Sequence, residues 1–364
     1  MGYCSPPRLS PRSLRRCADS KLTPSIQRPF GRACEPLIFR ASRNISSGMS
    51  TLIDGSCLLT PQPTGVSNAV RELLLNHRLP LEGVATIGTI AAGQIPHPLP
   101  NLGYEHVHRP LPSKVAHALA LAGVPFHALI PGSWTRLFLP NLNIVGIPRL
   151  PFDILVHDLS FLVHPPWFTA KTRAWHRFAR PSTLIQRAER VFAVSPQTER
   201  ALTDLLAIPK ERITQIPLRI EPLSRQASAR PLDEPYIFMF SGEDPRKNRA
   251  CIERAFLELL KTHPDWLLVI AGMSSVSHHP NIRYLPYLSA EERQRWLEHA
   301  SLFVYPSWYE GFGLPLHEAS SLGVPTIASS ATTVTGMAPK DVLFLPPYAP
   351  TLWTQAFRDR AASV

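Results

Sequence analysis

Residues Glu310, Gly311, Phe312, Gly313, Leu314, Pro315, Leu316, His317 and Glu318 run consecutively, two carboxylates around a glycine-rich turn. Ionised carboxylates accept hydrogen bonds from polyol hydroxyls, and N–H groups at a helix start attract anions. Proline is tolerated in the first helical turn, so a helix is expected to begin at Pro315. Gly311, Phe312, Gly313 and Leu314 would then offer main chain more than side chain, because glycine lets a backbone approach a ligand closely. The chemistry that uses both services is a diphosphate with hydroxylated rings attached.

Three further groups fit that ligand. Arg246 and Lys247 lie between a predicted strand (Tyr236–Phe240) and a predicted helix (Asn248–Thr262). Two cations fixed there would neutralise charge on a departing diphosphate. His157 and Asp158 end the short apolar strand Asp153–His157. Thr64 and Gly65 open the first predicted helix, where N–H groups would meet phosphate oxygens from the other side. His278 and His279 have no acidic or cysteine neighbour in ligand spacing and read as a loop.

These residues need a frame, and the chain alternates strand and helix signals from Thr51 onward, the mark of an α/β doubly wound fold. Strands are predicted at Thr51–Leu59, Gly83–Ile90, Arg190–Val194 and Ile213–Ile216. Helices are predicted at Val66–Asn76, at Lys114–Ala122 with Ser113 as N-cap, and over Thr172–Glu189 with a break at Pro181. Ser195 and Pro196 read as N-cap and first-turn proline of the next helix. In the second half, strands are predicted at Trp266–Ala271, Leu302–Tyr305, Val324–Ala328 and Val342–Leu345. Ser289 with Glu292 makes a capping box. The expected domains are 49–219 and 236–348, joined by the Pro-, Arg- and Ser-rich linker 220–235 and closed by a helix in 349–364.

The formal charge of +11 over 364 residues suggests a polyanion partner until it is located. Residues 1–48 carry nine Arg/Lys against Asp19 and Glu35, which is +7, leaving +4 for the rest. That segment reads as a disordered leader, a transit peptide or translated upstream sequence, with Met49 just before the first strand. The remainder is mildly basic, enough to attract an anionic substrate. Nucleic acid is not expected as a partner, since no aromatic-plus-basic motif is present. Three of five cysteines also sit in 1–48, and Cys57 and Cys251 stand in no metal-ligand spacing. A cytoplasmic location follows, with no metal site, no membrane span and room for peripheral membrane contact.

The segment Tyr305–Gly323, with its two glutamates, resembles the signature of the family 4 retaining nucleotide-sugar glycosyltransferases (glycosyl transferases group 1). Ser241 to Asn248 resembles the family's loop ending in Arg-Lys-Asn. His157-Asp158-Leu159 resembles its strand end, and Thr64-Gly65-Val66 its first glycine loop. The resemblance covers about residues 51–350 in order. It implies a GT-B fold, two Rossmann-like domains facing a cleft. It implies transfer of a hexose of mannose or glucose type from a nucleotide-diphosphate sugar to a hydroxyl of a glycan, lipid-linked or other acceptor in polysaccharide or glycoconjugate synthesis. Catalytic roles fall on His157, Glu310 and Lys247. Donor contacts fall on Gly65, Arg246, Lys247, Gly311, Phe312, Gly313, Leu314 and Glu318. No cofactor or metal is implied. Ser67 and Asn68 stand where the family often has Arg, and Arg219 where it usually has Gly. A GT-B sugar-nucleotide epimerase or hydrolase, and a non-catalytic nucleotide-binding paralogue, are the alternatives.

Overall fold

The computed structural model describes residues 50–59, 65–75, 83–87, 105–109, 111–216, 222–331 and 339–364. The segment 1–48, Thr64 and Arg219 lie outside the described residues, as do 220 and 221 of the expected linker and 88–90 of the second predicted strand.

Two parallel sheets carry the molecule. The first orders its strands β3-β2-β1-β4-β5-β6-β7, and the second β10-β9-β8-β11-β12-β13. The first seven are β1 Thr51–Asp54, β2 Gly83–Ile87, β3 Glu105–Arg109, β4 Arg136–Leu139, β5 Phe152–Val156, β6 Arg190–Ala193 and β7 Ile213–Gln215. The other six are β8 Tyr236–Phe240, β9 Leu267–Ala271, β10 Ile282–Leu285, β11 Leu302–Tyr305, β12 Thr326–Ser329 and β13 Val342–Leu345. Every pairing is parallel. Parallel sheets are covered on both faces, so central strands such as β5, β9 and β11 are buried at every residue.

The helices are α1 Gly65–Leu75, α2 Ser113–Leu121, α3 Ser160–Val163, α4 Ala170–Ala179, α5 Pro181–Arg187, α6 Pro196–Leu206, α7 Arg249–Leu259, α8 Ala290–Glu298, α9 Leu314–Ser321 and α10 Pro350–Ala361. In each sheet the strand order reverses where the first strand of the domain meets the fourth: β1 beside β4, and β8 beside β11. Ligands of open α/β sheets bind at such switch points, outside the carboxyl ends of the strands. Arg246 and Lys247 follow β8, and Glu310 follows β11.

Local signals explain much of this. Ser195 accepts from the Thr198 amide to start α6, and Ser289 and Glu292 bond each other's main chain to start α8. Pro181 splits the predicted helix into α4 and α5, with Arg180 left-handed between them. Two expectations need correction, and two features were not foreseen. Ser113 is the first helical residue rather than a cap: Pro112 takes the cap position and no side chain bonds the end. Strands β3, β4 and β10 were not anticipated; each is short and lies among prolines, glycines or histidines that mask its apolar pattern. The helix expected at Asn248–Thr262 runs only over Arg249–Leu259, because Asn248 is left-handed. The expected linker does not hang free. Leu223 N–H donates to Ser321 Oγ (3.1 Å), Arg225 Nε to the Leu322 carbonyl (2.9 Å) and Gln226 N–H to buried Glu298 (3.1 Å), so 223–226 lies along the second domain.

Candidate functional site

A cavity of about 590 Å³ opens between the lobes, within the range that holds a small-molecule ligand. All ten site residues expected from the sequence line it.

In the second lobe, β8 leads into a single 3-10 turn, Pro245–Lys247. The Asp244 carboxylate starts that turn by accepting from the Arg246 amide, and it also holds the Arg246 guanidinium. Asn248, left-handed at φ +55°, ends it. Its amide donates to the Pro347 carbonyl (2.8 Å) and the Pro306 carbonyl (3.3 Å), lashing the turn to the loops after β13 and β11. That fixes Lys247, whose Nζ lies 2.5 Å from Glu310 Oε1 and over the Tyr305 ring. Gly313, at φ +83°, caps α9, so the helix N-terminus opens on the same space. Glu318 sits on α9 facing the cavity, one oxygen accepting from Arg293 Nη2 at 2.9 Å.

The first lobe closes on this arrangement. Arg246 Nη1 donates across the cleft to Asp158 Oδ2 at 2.8 Å. A Cβ on Gly311 would lie 1.9 Å from the His157 carbonyl oxygen, so only glycine permits this approach of the two main chains. Phe312 reaches further and joins the hydrophobic cluster of the first lobe, beside Ile53, Val70 and Leu155.

Residues 221–358 match the family model described as glycosyl transferases group 1. A curated relative, O-antigen chain mannosyltransferase B of Escherichia coli, is 27% identical over 201 residues, 49% of this chain and 52% of that protein. D-inositol 3-phosphate glycosyltransferase of a Nocardioides species is 33% identical over 116 residues, 28% of this chain and 25% of that protein. The chain thus spans about half or less of the length of these relatives. Sucrose-phosphate synthase of Thermosynechococcus elongatus shares the fold at a TM-score of 0.65 and 17% identity, covering 86% of this chain and 90% of that one. WaaG, a glycosyltransferase involved in lipopolysaccharide biosynthesis, does so at 0.59 and 13%, with the same coverages. The architecture is GT-B.

Electrostatics of the site follow from burial and pairing. Burial works to raise the Glu310 carboxyl, but Lys247 and Arg246 outweigh it and hold the group below its ordinary range. Asp158 behaves alike: Arg246 and Ser160 overcome its burial and keep it ionised. Burial pulls the Arg246 guanidinium down, and three surrounding groups, Glu310, Asp158 and Asp244, more than restore it. Burial lowers His157 despite opposing effects from the Pro140 carbonyl and Asp158. Its Nε2 sits 2.9 Å from that carbonyl, which can only accept, so Nε2 carries the proton. His157 is therefore a neutral imidazole at pH 7 with Nδ1 unprotonated.

The cavity also gathers residues that sequence reasoning missed. Arg293, on α8, grips Glu318 and stacks over Phe240 at 4.7 Å. Nothing in the spacing joins positions 293 and 318; only the packing of α8 against α9 could reveal it. Asp244 reads as a loop acid, although an acid two residues before an arginine at a turn is a recognisable Asx pattern. Asp158, placed by the sequence only at a strand end, accepts from the Ser160 amide (2.9 Å), and its other oxygen serves Arg246.

Proposed function

We propose that this protein transfers a hexosyl group from a nucleotide-diphosphate sugar to an acceptor hydroxyl, with retention at the anomeric carbon. The observation that carries the reading is the meeting of Arg246, Lys247 and the α9 N-terminus with Glu310 and Glu318 around one cavity at the sheet's switch point. The cations and helix end suit a diphosphate, and the two carboxylates suit ring hydroxyls. The relation to a mannosyltransferase makes mannose the first sugar to try.

In this reaction the acceptor oxygen bonds to C1 as the bond from C1 to the phosphate oxygen breaks. Both events occur on one face, and the departing phosphate oxygen takes the acceptor proton. Arg246 and Lys247 bear the developing negative charge, so the protein itself supplies the electrophilic assistance without a metal. The incoming diphosphate competes with Asp158 and Glu310 for these cations. Glu310, freed from Lys247, accepts from a sugar hydroxyl. Glu318, with one oxygen held by Arg293, offers the other to the ribose diol. Closure of the lobes excludes water and suppresses donor hydrolysis.

The test is a panel of nucleotide-sugars with and without hydroxyl acceptors, read by nucleoside diphosphate release and by the anomeric configuration of the product. Acceptor-dependent release with a retained configuration is expected, unchanged by EDTA and lost in Glu310→Ala. Release at equal rate without acceptor would identify a hydrolase, and thermal stabilisation by nucleotide without turnover a binding paralogue.

A further inference from the structure

Residues 223–229 form no helix or strand, so their main-chain groups need partners elsewhere. Side chains at one side of α8 supply several. Gln294 Nε2 donates to the Ser224 carbonyl (2.8 Å) and Arg295 Nε to the Ala229 carbonyl (2.9 Å). His299, which ends the helix, donates from Nε2 to the Ser228 carbonyl (3.0 Å). Glu298 is 2% exposed and accepts from the Gln226 N–H (3.1 Å) and the Ser228 hydroxyl. Burial works to raise the Glu298 carboxyl, but the bonds from Ser228, Gln226 and Gln294 and the nearby His299 outweigh it, so the group stays ionised.

The same segment reaches α9. Ser321 Oγ accepts from the Leu223 N–H (3.1 Å) and donates to the Glu318 carbonyl (2.8 Å). One hydroxyl thus joins the segment to the main chain of a cavity residue. Arg225 Nε donates to the Leu322 carbonyl, just past the helix (2.9 Å). Leu223 and Leu232 pack on the hydrophobic cluster of the second lobe, which pins the segment near both ends. Helices α8 and α9 are therefore tied twice, inside the cavity by Arg293 and Glu318 and outside it by this strap. The inner tie is a partly exposed ion pair, and such a pair contributes at most about 1 kcal/mol. A binding group must be held to within about 0.5 Å by the residues behind it, and the strap supplies what the ion pair lacks.

We propose that residues 223–229 are a positioning strap for the donor nucleotide, anchored by Glu298 on α8 and Ser321 on α9. Neither anchor lines the cavity. They act through Arg293 and Glu318, fixing where the Glu318 carboxylate meets the ribose diol. The inference rests on the donor reading above and adds to it that the segment joining the lobes sets selectivity for ribose over deoxyribose.

The test is calorimetry of the full chain with ADP, GDP and UDP, with the 2′-deoxy form of each nucleotide that binds, and with inorganic pyrophosphate. The wild type is expected to bind the 2′-deoxy form about tenfold more weakly, the loss of a bond to a charged group. In Glu298→Ala that ratio should shrink to about twofold. Pyrophosphate, which meets only Arg246, Lys247 and the α9 N-terminus, should bind as before. Ser321→Ala, at an exposed position, should shrink the ratio without loss of stability, and it decides alone if Glu298→Ala does not fold. Ser321→Thr keeps the hydroxyl and should restore the ratio. An unchanged ratio in the alanine variants that fold overturns the proposal, and so does a wild type that binds both sugar forms alike. Equal losses for nucleotide and pyrophosphate overturn it too, because they mark a general loosening of the lobe. A wild type that binds none of the three nucleotides defeats the donor reading, and the role of the strap with it.

Discussion

Lys247 and Glu310 neutralise each other in the absence of donor, and so do Arg246 and Asp158. The site stores its charges as pairs that a diphosphate must separate, so they are oriented but not idle. His157 sets a pH limit on this arrangement. Its folded-state value is lowered, so its contribution to stability is present in full above the unfolded value of about 6.5 and is lost as pH falls from there through the lower folded value. His117, His127, His176 and His317 are lowered as well. The melting temperature should therefore decline below about pH 6.5, and His157→Gln, which keeps a donor for Pro140, should make that decline shallower. An identical slope in the variant would show that His157 titrates alike in the folded and the unfolded chain. Arg293 allows a second prediction. Arg293→Leu frees Glu318 to swing, so nucleoside diphosphate affinity should fall about tenfold, in line with loss of a charge-assisted bond. The penalty for a 2′-deoxy nucleotide should shrink with it, measured by calorimetry. At this scale the sequence was informative wherever a short motif marks the position: Glu310, Lys247 and the glycines were all legible. Arg293 and the Asp158 bond were not, because each depends on a partner 25 or 88 residues away.

Elements hold these residues through their ends. Asn248 is the clearest case, a left-handed residue between a 3-10 turn and α7 whose amide spans two loops. Asn248→Ala would meet both a backbone that favours Asn or Gly and two unpaired carbonyls. The expected cost is about 2 kcal/mol, a lower melting temperature by a few degrees, with donor affinity reduced because Lys247 loses its anchor. A drop in affinity without a change in melting would contradict the anchoring role. Elements that announce themselves through caps, such as α6 and α8, were legible at their starts. Strand β10, whose burial alternates poorly, and β4, four residues between a Ser/Trp loop and a proline, were not. A strand in a parallel sheet is specified by the neighbours on either side, and a window of four residues contains neither.

At Gly311 the two lobes meet in an exacting contact. Gly311→Ala places a methyl group against the His157 carbonyl, so the lobes must part by more than an ångström. The expected result is a larger radius of gyration in solution scattering and weaker donor binding, while each lobe keeps its secondary structure. Unchanged scattering together with unchanged affinity would mean that the loop yields instead. The α/β plan was legible from the alternation of strands and helices and its GT-B form from the family resemblance, whereas the path of 223–226 along the second domain was not. Phe312 gives the interface a further meaning. It is encoded with the second half of the chain but completes the interior of the first. A fragment ending near position 216 would be left with a hole where that ring belongs, and the complementary fragment with an aromatic plug in water. Two such halves, made as separate polypeptides, have a physical reason to find each other and rebuild the whole.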